Sequence, residues 1–465
     1  MGDIMRPVPF SELIERIVGE YRNHRSIFGI AEEHFYRTSG AKPITIFGQA
    51  CDTALGPAAG PHTQLAQNIV ASYLVGGRFI ELKTVQILDE LEIEKPCIDA
   101  RDEGYNTEWS SEYTLTKAWD EYAKAWIILH LLEAVMGDGT LSERPSFIFN
   151  MSVGYNLEGI KSERMQQFID TMIDGSGDER FACYLIELQA LINEGLFVGT
   201  PWEEQAKGLD DLPKRISAKI CNSTTLSTMH GCPPDEIEAI CSYMMQEKGV
   251  HTYVKLNPTL LGYEAVREIL DTLGYQYITL KEESFTNDLQ WKDAVAMLER
   301  LVAIGEQEEL EFGVKLTNTL GAVNDQGVLP GEEMYMSGRA LLPLSTTVGA
   351  RLSEAFGGKL PISYSGGATA FTVQALYESG IRPITVATDL LKPGGYARLK
   401  QLVEIVEASD GHDLSEIDTA ALDTLATAAR AGTYASLDKA FRGKDSVKLN
   451  EPLPMWDCYV APCVE

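Results

Sequence analysis

Short apolar runs rich in β-branched and aromatic residues recur along the chain. Each is followed by a polar or Gly-containing loop and then by a stretch with helical spacing. The runs are PITIFG (43–48), RFIELKTV (78–85), SFIFNMSV (146–153), AKICNSTTLS (218–227), HTYVKLNP (251–258), YQYITLKE (275–282), LEFGVKLTNT (310–319), LPISYSGG (360–367) and RPITVATDL (382–390). Most lack strict polar alternation, as strands covered on both faces do. Between them lie amphipathic patterns. DEIEAICSYMMQEKG puts Ile237, Ile240, Cys241, Met244 and Met245 on one face, with Gly249 placed to end the helix. FTVQALYESG (371–380) and GRALLPLSTTVGARLSEAF (338–356) read the same way.

Alternation of this kind predicts a parallel sheet, and about eight strands predicts an α/β fold of the (β/α)8 barrel type. A doubly wound sheet is the alternative. A barrel would carry its active groups at the C-terminal strand ends. The expected layout is an N-terminal arm (1–42), a barrel (43–430) with largely helical insertions at about 88–145 and 157–217, and a C-terminal tail (431–465). DGSGDER (174–180) reads as the most flexible spot.

Composition narrows the function. Of 465 residues, 45% are hydrophobic and 23% charged, enough for a large core. A net charge of −29 repels phosphate backbones, so nucleic acid is not an expected partner. The start, MGDIMRPVPFSEL, has no apolar leader. AWIILHLLEAVMG (125–137) is too short to span a bilayer and contains His130 and Glu133, so it reads as a buried helix and no membrane insertion is expected. Eight scattered cysteines do not form a disulfide framework, and a cytoplasmic location fits. A homo-oligomer is compatible with all of this.

Three sets of residues point to chemistry. Gly366 and Gly367 sit between a strand and a helix, with Gly338 and Thr388 in nearby loops. Such loops can cradle a phosphate on backbone N–H groups, especially after the last two strands of a barrel. A bare turn is the simpler reading of any one of them. Lys83, Lys255 and Lys315 lie at strand ends inside apolar runs, which is costly unless each meets an anion or an electron-rich ring. Asn150, Asn156, Asn257 and Asn318 lie near the same ends, and amides suit the edge of a heteroaromatic ring. Finally, Cys232 precedes Pro233 and Pro234 at the start of a helix, with His230 beside it. A packing role and a reactive role are both open for this thiol.

The segments GPAAGPHTQLAQNIVASYLVGGRFIELKTV (56–85), VKLNP, TNTLGA, SGRALLPLS and SGGA, in this order, resemble the FMN barrels of dihydroorotate dehydrogenases and dihydropyrimidine dehydrogenase. Over nearly the whole chain the sequence is similar to the YgfK-type selenate reductase subunits. The resemblance implies an FMN-dependent oxidoreductase barrel. Ala59 and Gly60 would lie against the flavin, Lys83 and Thr84 would contact its ring, Asn150 would sit near it, and Lys255 would approach its N1–C2 edge. Gly338, Gly366, Gly367 and Thr388 would hold its phosphate. Asn156, Asn318 and Thr319 would face the substrate, and Cys232 would be the catalytic acid. Members of this family continue into an iron–sulfur segment and FAD- and NAD(P)H-binding domains. Cys458 and Cys463 in the tail resemble the first two ligands of that segment.

The implied function is reduction of an oxidised N-heterocycle, purine- or pyrimidine-like with urate as one candidate, by electrons arriving from NAD(P)H through FAD and iron–sulfur centres in a further part or a partner subunit. The competing readings are a non-catalytic scaffold or electron-transfer subunit of a selenate reductase or molybdenum hydroxylase-type complex, and a Schiff-base phosphate-sugar lyase. The sequence departs from the simple barrels at LSTMHG (226–231) and in an extra segment, KEESFTNDLQWKDAV (281–295).

Overall fold

Eight parallel strands form one barrel in the computed structural model, which describes residues 6–38, 43–88, 93–100, 103–107, 112–137, 139, 145–227, 231–325, 327–434 and 437–440. In chain order they are β1 (Leu55–Pro57), β2 (Phe79–Glu81), β3 (Ile148–Gly154), β4 (Ser223–Ser227), β5 (His251–Leu256), β6 (Phe312–Leu316), β7 (Ile362–Tyr364) and β8 (Ile384–Val386). Neighbours pair in parallel from β2 through β3 to β8 and back to β1. The Arg78 N–H donates to the Leu55 carbonyl and closes the remaining seam. A Cβ on Gly56 would fall 1.7 Å from the Phe79 carbonyl oxygen. Only glycine lets β1 and β2 approach this closely.

Two expected strands differ. Residues 44–46 pair antiparallel with 49–51 in a hairpin outside the barrel. Phe47 at its turn packs on Phe79, His251 and Tyr253, so the hairpin plugs the N-terminal end. Residues 275–281 form no strand. They run as a loop whose Tyr275 and Ile278 carbonyls are taken by the Arg267 guanidinium. A closed barrel has no free edge to receive them. The first barrel strand is Leu55–Pro57, too short and too rich in Gly and Pro to show a strand pattern.

The 88–145 stretch is only in part an insertion. It contains helix Leu115–Met136, which packs on helix Ala66–Leu74 as part of the barrel wall. The remainder supplies strands Ile98–Asp99 and Gly104–Asn106 to an antiparallel sheet with Leu320–Val323 and Glu333–Ser337. The 157–217 stretch is helical as expected. Within it, residues 174–180 adopt a defined turn: Asp174 accepts from the Ser176 N–H, and Asp178 caps helix Glu179–Asn193. The N-terminal arm contributes helix Phe10–His24, and Lys124 donates to the Val8 carbonyl to fasten it. Among the described residues no helix is long and apolar enough to cross a membrane.

Candidate active site

A cavity of about 410 Å³ opens at the C-terminal strand ends. This lies within the about 300–1,000 Å³ range of small-molecule pockets. Every barrel strand or the loop after it contributes to the wall: Ala58 and Ala59 follow β1, Thr84 and Gln86 follow β2, Gly154 and Tyr155 close β3, Ser227 closes β4, Lys255 lies on β5, Thr317–Thr319 follow β6, Ser365 and Gly367–Thr369 follow β7, and Thr385–Asp389 span β8 and its loop. Tyr335, Ser337, Gly338 and Arg339 come in from the antiparallel sheet.

The base of the site is built from charges that strand register brings together. Lys255 and Lys315 are register partners on β5 and β6, so both point into the barrel. Lys315 is fully buried. Its Nζ lies 2.8 Å from Glu81 Oε2 and donates to Thr385 Oγ1, also at 2.8 Å. The same Glu81 oxygen accepts from the Ala59 N–H at 3.0 Å, which fixes backbone that lines the cavity. Burial works against the Glu81 carboxylate, but Lys315 and Lys255 outweigh it and hold its pKa below the ordinary value. Burial pulls the Lys315 ammonium down as well, against the pull of Glu81. Lys255 is lowered to about 8, first by burial and further by Lys315, with Glu81 opposing. Among the described residues Lys255 has no hydrogen-bond partner, and Glu81 Oε1 and Asn150 Oδ1 are buried without one. The base therefore presents one cation to the cavity and stores another in an ion pair beneath it.

At the opposite end three loops meet. Gly338 and Gly367 have φ of +75° and +82°, and a Cβ on Gly367 would fall 2.2 Å from the Gly338 carbonyl oxygen. Ser337 and Thr388 share a hydroxyl hydrogen bond of 2.8 Å. The Asp389–Arg398 ion pair, 3.0 Å and buried, holds the turn that carries Thr388. Gly367→Ala should therefore destabilise the fold by more than about 1 kcal/mol, since both the φ and the space exclude a side chain. Gly177→Ala, which meets nothing within 4 Å, is the near-neutral control. Urea denaturation midpoints of the two variants check this.

The cavity gathers Ala59, Thr84, Lys255, Asn318, Thr319, Gly338, Gly367 and Thr388 from the residues singled out in the sequence. The others lie elsewhere. Gly60 and Lys83 line a smaller neighbouring cavity of about 50 Å³, which Thr388 also borders. Asn150 is inside the barrel, donating to Thr225 Oγ1. Asn156 caps helix Leu157–Ile160, its Oδ1 accepting from the Gly159 N–H, and it does not line the cavity. Gly366 turns away from the cavity, since a Cβ there would meet Ser345 Oγ at 2.4 Å. It serves the packing of its loop on helix Leu342–Ala355.

Cys232 is half-buried in the loop before helix Pro234–Gln246 and does not line the cavity. Its thiol is pushed up to about 11 by burial, then by Glu236 and Asp235. That is opposite to the lowering expected from a helix N-terminus. Cys241 is buried on the apolar face of the same helix. His230, Cys458 and Cys463 lie outside the described residues.

Glu81 and Asp288 carry much of the polar framework but were not singled out. Glu81 had a signal, an acid inside an apolar run two residues before Lys83. Asp288 had none, sitting in the extra segment 281–295.

The fold and site together define a (β/α)8 barrel with a polar, lysine-based cavity at its C-terminal mouth. Residues 28–436 match the family described as "Oxidoreductase YgfK, N-terminal TIM-barrel domain", and the chain belongs to that family. It is 59% identical over all 465 residues to "Putative oxidoreductase YgfK" of Escherichia coli strain K12, and equally to the protein of that name in Escherichia coli O157:H7. The chain spans 45% of the length of each of these relatives.

Proposed function

We propose that this barrel is an FMN-dependent reductase domain acting on an oxidised N-heterocycle of the purine or pyrimidine kind. The observation that carries the reading is Lys255: an ammonium deep in the barrel, turned to the cavity and without a hydrogen-bond partner among the described residues. An ammonium half-withdrawn from water at a pocket wall is best satisfied by an anionic or electron-rich partner, and the cavity is where that partner would sit. The residues present fit FMN. The loops at Gly338, Gly367 and Thr388 would take the phosphate on backbone N–H groups and hydroxyls. Ala59 and Thr84 would border the ring system, and Lys255 would face it with positive charge.

FMN, when bound, supplies reversible hydride transfer to carbon. The chain's own contribution is electrostatic and positional. Lys255 offers positive charge where negative charge builds on reduction. The Glu81–Lys315 pair keeps a second ammonium neutralised and ties down the Ala59 backbone. Asn318 and Thr319 offer hydrogen bonds to a ring, and Cys232 is the candidate proton donor. Since the relatives are more than twice as long as this chain, we assign electron delivery from NAD(P)H, through FAD and iron–sulfur centres, to the rest of a longer protein or to a partner subunit.

The test is titration of the purified chain with FMN, followed by flavin absorbance and fluorescence. About one FMN per chain is expected. Affinity should fall as pH rises through about 8, where the Lys255 ammonium loses its proton. The sign is fixed by the charge: below that pH the ammonium attracts the electron-rich N1–C2 edge of the ring, and above it that attraction is lost. Lys255→Met should weaken binding and flatten this pH dependence. A folded chain that cannot be loaded with FMN under any of these conditions sinks the reading.

A further inference from the structure

We propose that Asp288 sets the hydrogen-bonding polarity that the site offers its ligand, by orienting Asn257 and through it Asn318. The inference rests on the heterocycle reading above and assigns that site a specificity: Asn318 presents a carbonyl oxygen, which selects a ligand N–H.

Asp288 is buried, 4% exposed, in the segment between helices Tyr263–Thr272 and Trp291–Gln307. Its Oδ2 accepts from Asn257 Nδ2 at 3.0 Å and from Thr259 Oγ1 at 2.7 Å. Its Oδ1 accepts from the Gly231 N–H at 2.7 Å. A carboxylate surrounded by donors only accepts, so Asn257 must turn its NH2 toward it. That leaves Asn257 Oδ1 facing Asn318, and it accepts from Asn318 Nδ2 at 2.7 Å. Asn318 lines the cavity, its backbone N–H held by the Leu256 carbonyl. Its own Oδ1 accepts no hydrogen bond among the described residues. Flipping either amide would set oxygen against oxygen or NH2 against NH2. The polarity of one acid is thus relayed through two amides to the cavity wall. Lactam nitrogens, which carry N–H beside a carbonyl, are the ligand groups that match.

The experiment is calorimetric titration of the chain, as purified and with its flavin content recorded, against uracil and 1,3-dimethyluracil. The second probe keeps the ring and both carbonyls but has no N–H. Wild type should bind uracil at least about tenfold more tightly, the scale of one matched hydrogen bond in a buried site. Asp288→Asn supplies a donor to Asn257 and allows the relay to invert, so this preference should collapse by about tenfold. Methyl bulk is the same in both proteins, so the change in ratio reports polarity.

Adding Asn318→Asp to Asp288→Asn should restore the preference, because a carboxylate at 318 has only oxygen to present. Thr259→Val removes another partner of the same Asp288 oxygen and should leave the ratio unchanged. If Asp288→Asn does not fold, Asn257→Leu cuts the relay without touching the acid and should also abolish the preference. An unchanged ratio in a folded relay variant, or no saturable uracil binding to wild type, overturns the proposal. An Asp288-dependent ratio in a chain that never binds FMN would instead sink the flavin reading and leave this one standing.

Discussion

Glu81→Ala is expected to destabilise the protein by about 3–5 kcal/mol, the scale for removing one partner of a buried ion pair. Glu81 and Lys315 are both fully buried, and Lys255 lies close enough to help lower the Glu81 pKa and to be lowered itself by Lys315. Without the carboxylate two ammonium groups share one barrel interior with no counter-charge, and the Ala59 N–H loses its acceptor. Guanidinium denaturation of the variant measures the loss. The double change Glu81→Leu with Lys315→Met should recover most of it, because a buried pair replaced by apolar groups of similar volume is often near neutral.

The pH dependence has a definite sign. The Glu81 pKa is lower folded than unfolded, where the ordinary value is 4.5. Its contribution is present above that value and is lost as pH falls through the lower, folded one. Wild type should therefore lose stability in acid by a component that Glu81→Gln lacks. Equal stability of Glu81→Ala and wild type would mean that the two lysines are not charged in the folded state.

Cys232→Ala is expected to leave FMN loading intact and slow substrate reduction by about 10²-fold or more, the usual scale for loss of a general acid. A proton donor must hold its proton at neutral pH. The half-buried thiol does, since burial, Glu236 and Asp235 raise it to about 11. The same surroundings make it a poor nucleophile. Cys232 does not line the cavity, but the preceding residue, Gly231, is hydrogen-bonded to Asp288, and Asp288 is linked through Asn257 to Asn318 on the cavity wall. The check is stopped-flow reoxidation of the dithionite-reduced, FMN-loaded chain by oxidised purines and pyrimidines, with wild type and Cys232→Ala side by side. Equal rates with a compound that wild type reduces would leave the thiol as packing against helix Pro234–Gln246.

Some features were legible because the sequence alone carries their energetic cost. A lysine in an apolar run is expensive wherever the run ends up, so Lys255 and Lys315 announced themselves before any fold was known. The apolar stripe Ile237, Ile240, Cys241, Met244 and Met245 specified a helix with one buried face, and all five are buried. Strand–helix alternation predicted a parallel sheet, with a barrel favoured by the number of strands, and the C-terminal strand ends located the cavity. Gly338 and Gly367 marked sharp turns because a left-handed φ leaves few other residues tolerable.

Tertiary structure decided everything that depends on which distant atoms meet. Leu55–Pro57 is a strand because β8 pairs with it, and nothing in three residues containing Gly and Pro says so. YQYITLKE has the composition of a strand but finds no open edge. Neither Asn156 nor Gly366 lines the cavity: the Oδ1 of one caps a helix, and a Cβ on the other would point at Ser345. The pairing of Glu81 with Lys315 spans the chain from β2 to β6, and Asp288 reaches Asn257 across 31 residues. Hydrophobic periodicity and charge cost are local properties, readable one segment at a time. Hydrogen-bond polarity and charge pairing are properties of contacts, and these exist only once the barrel has closed.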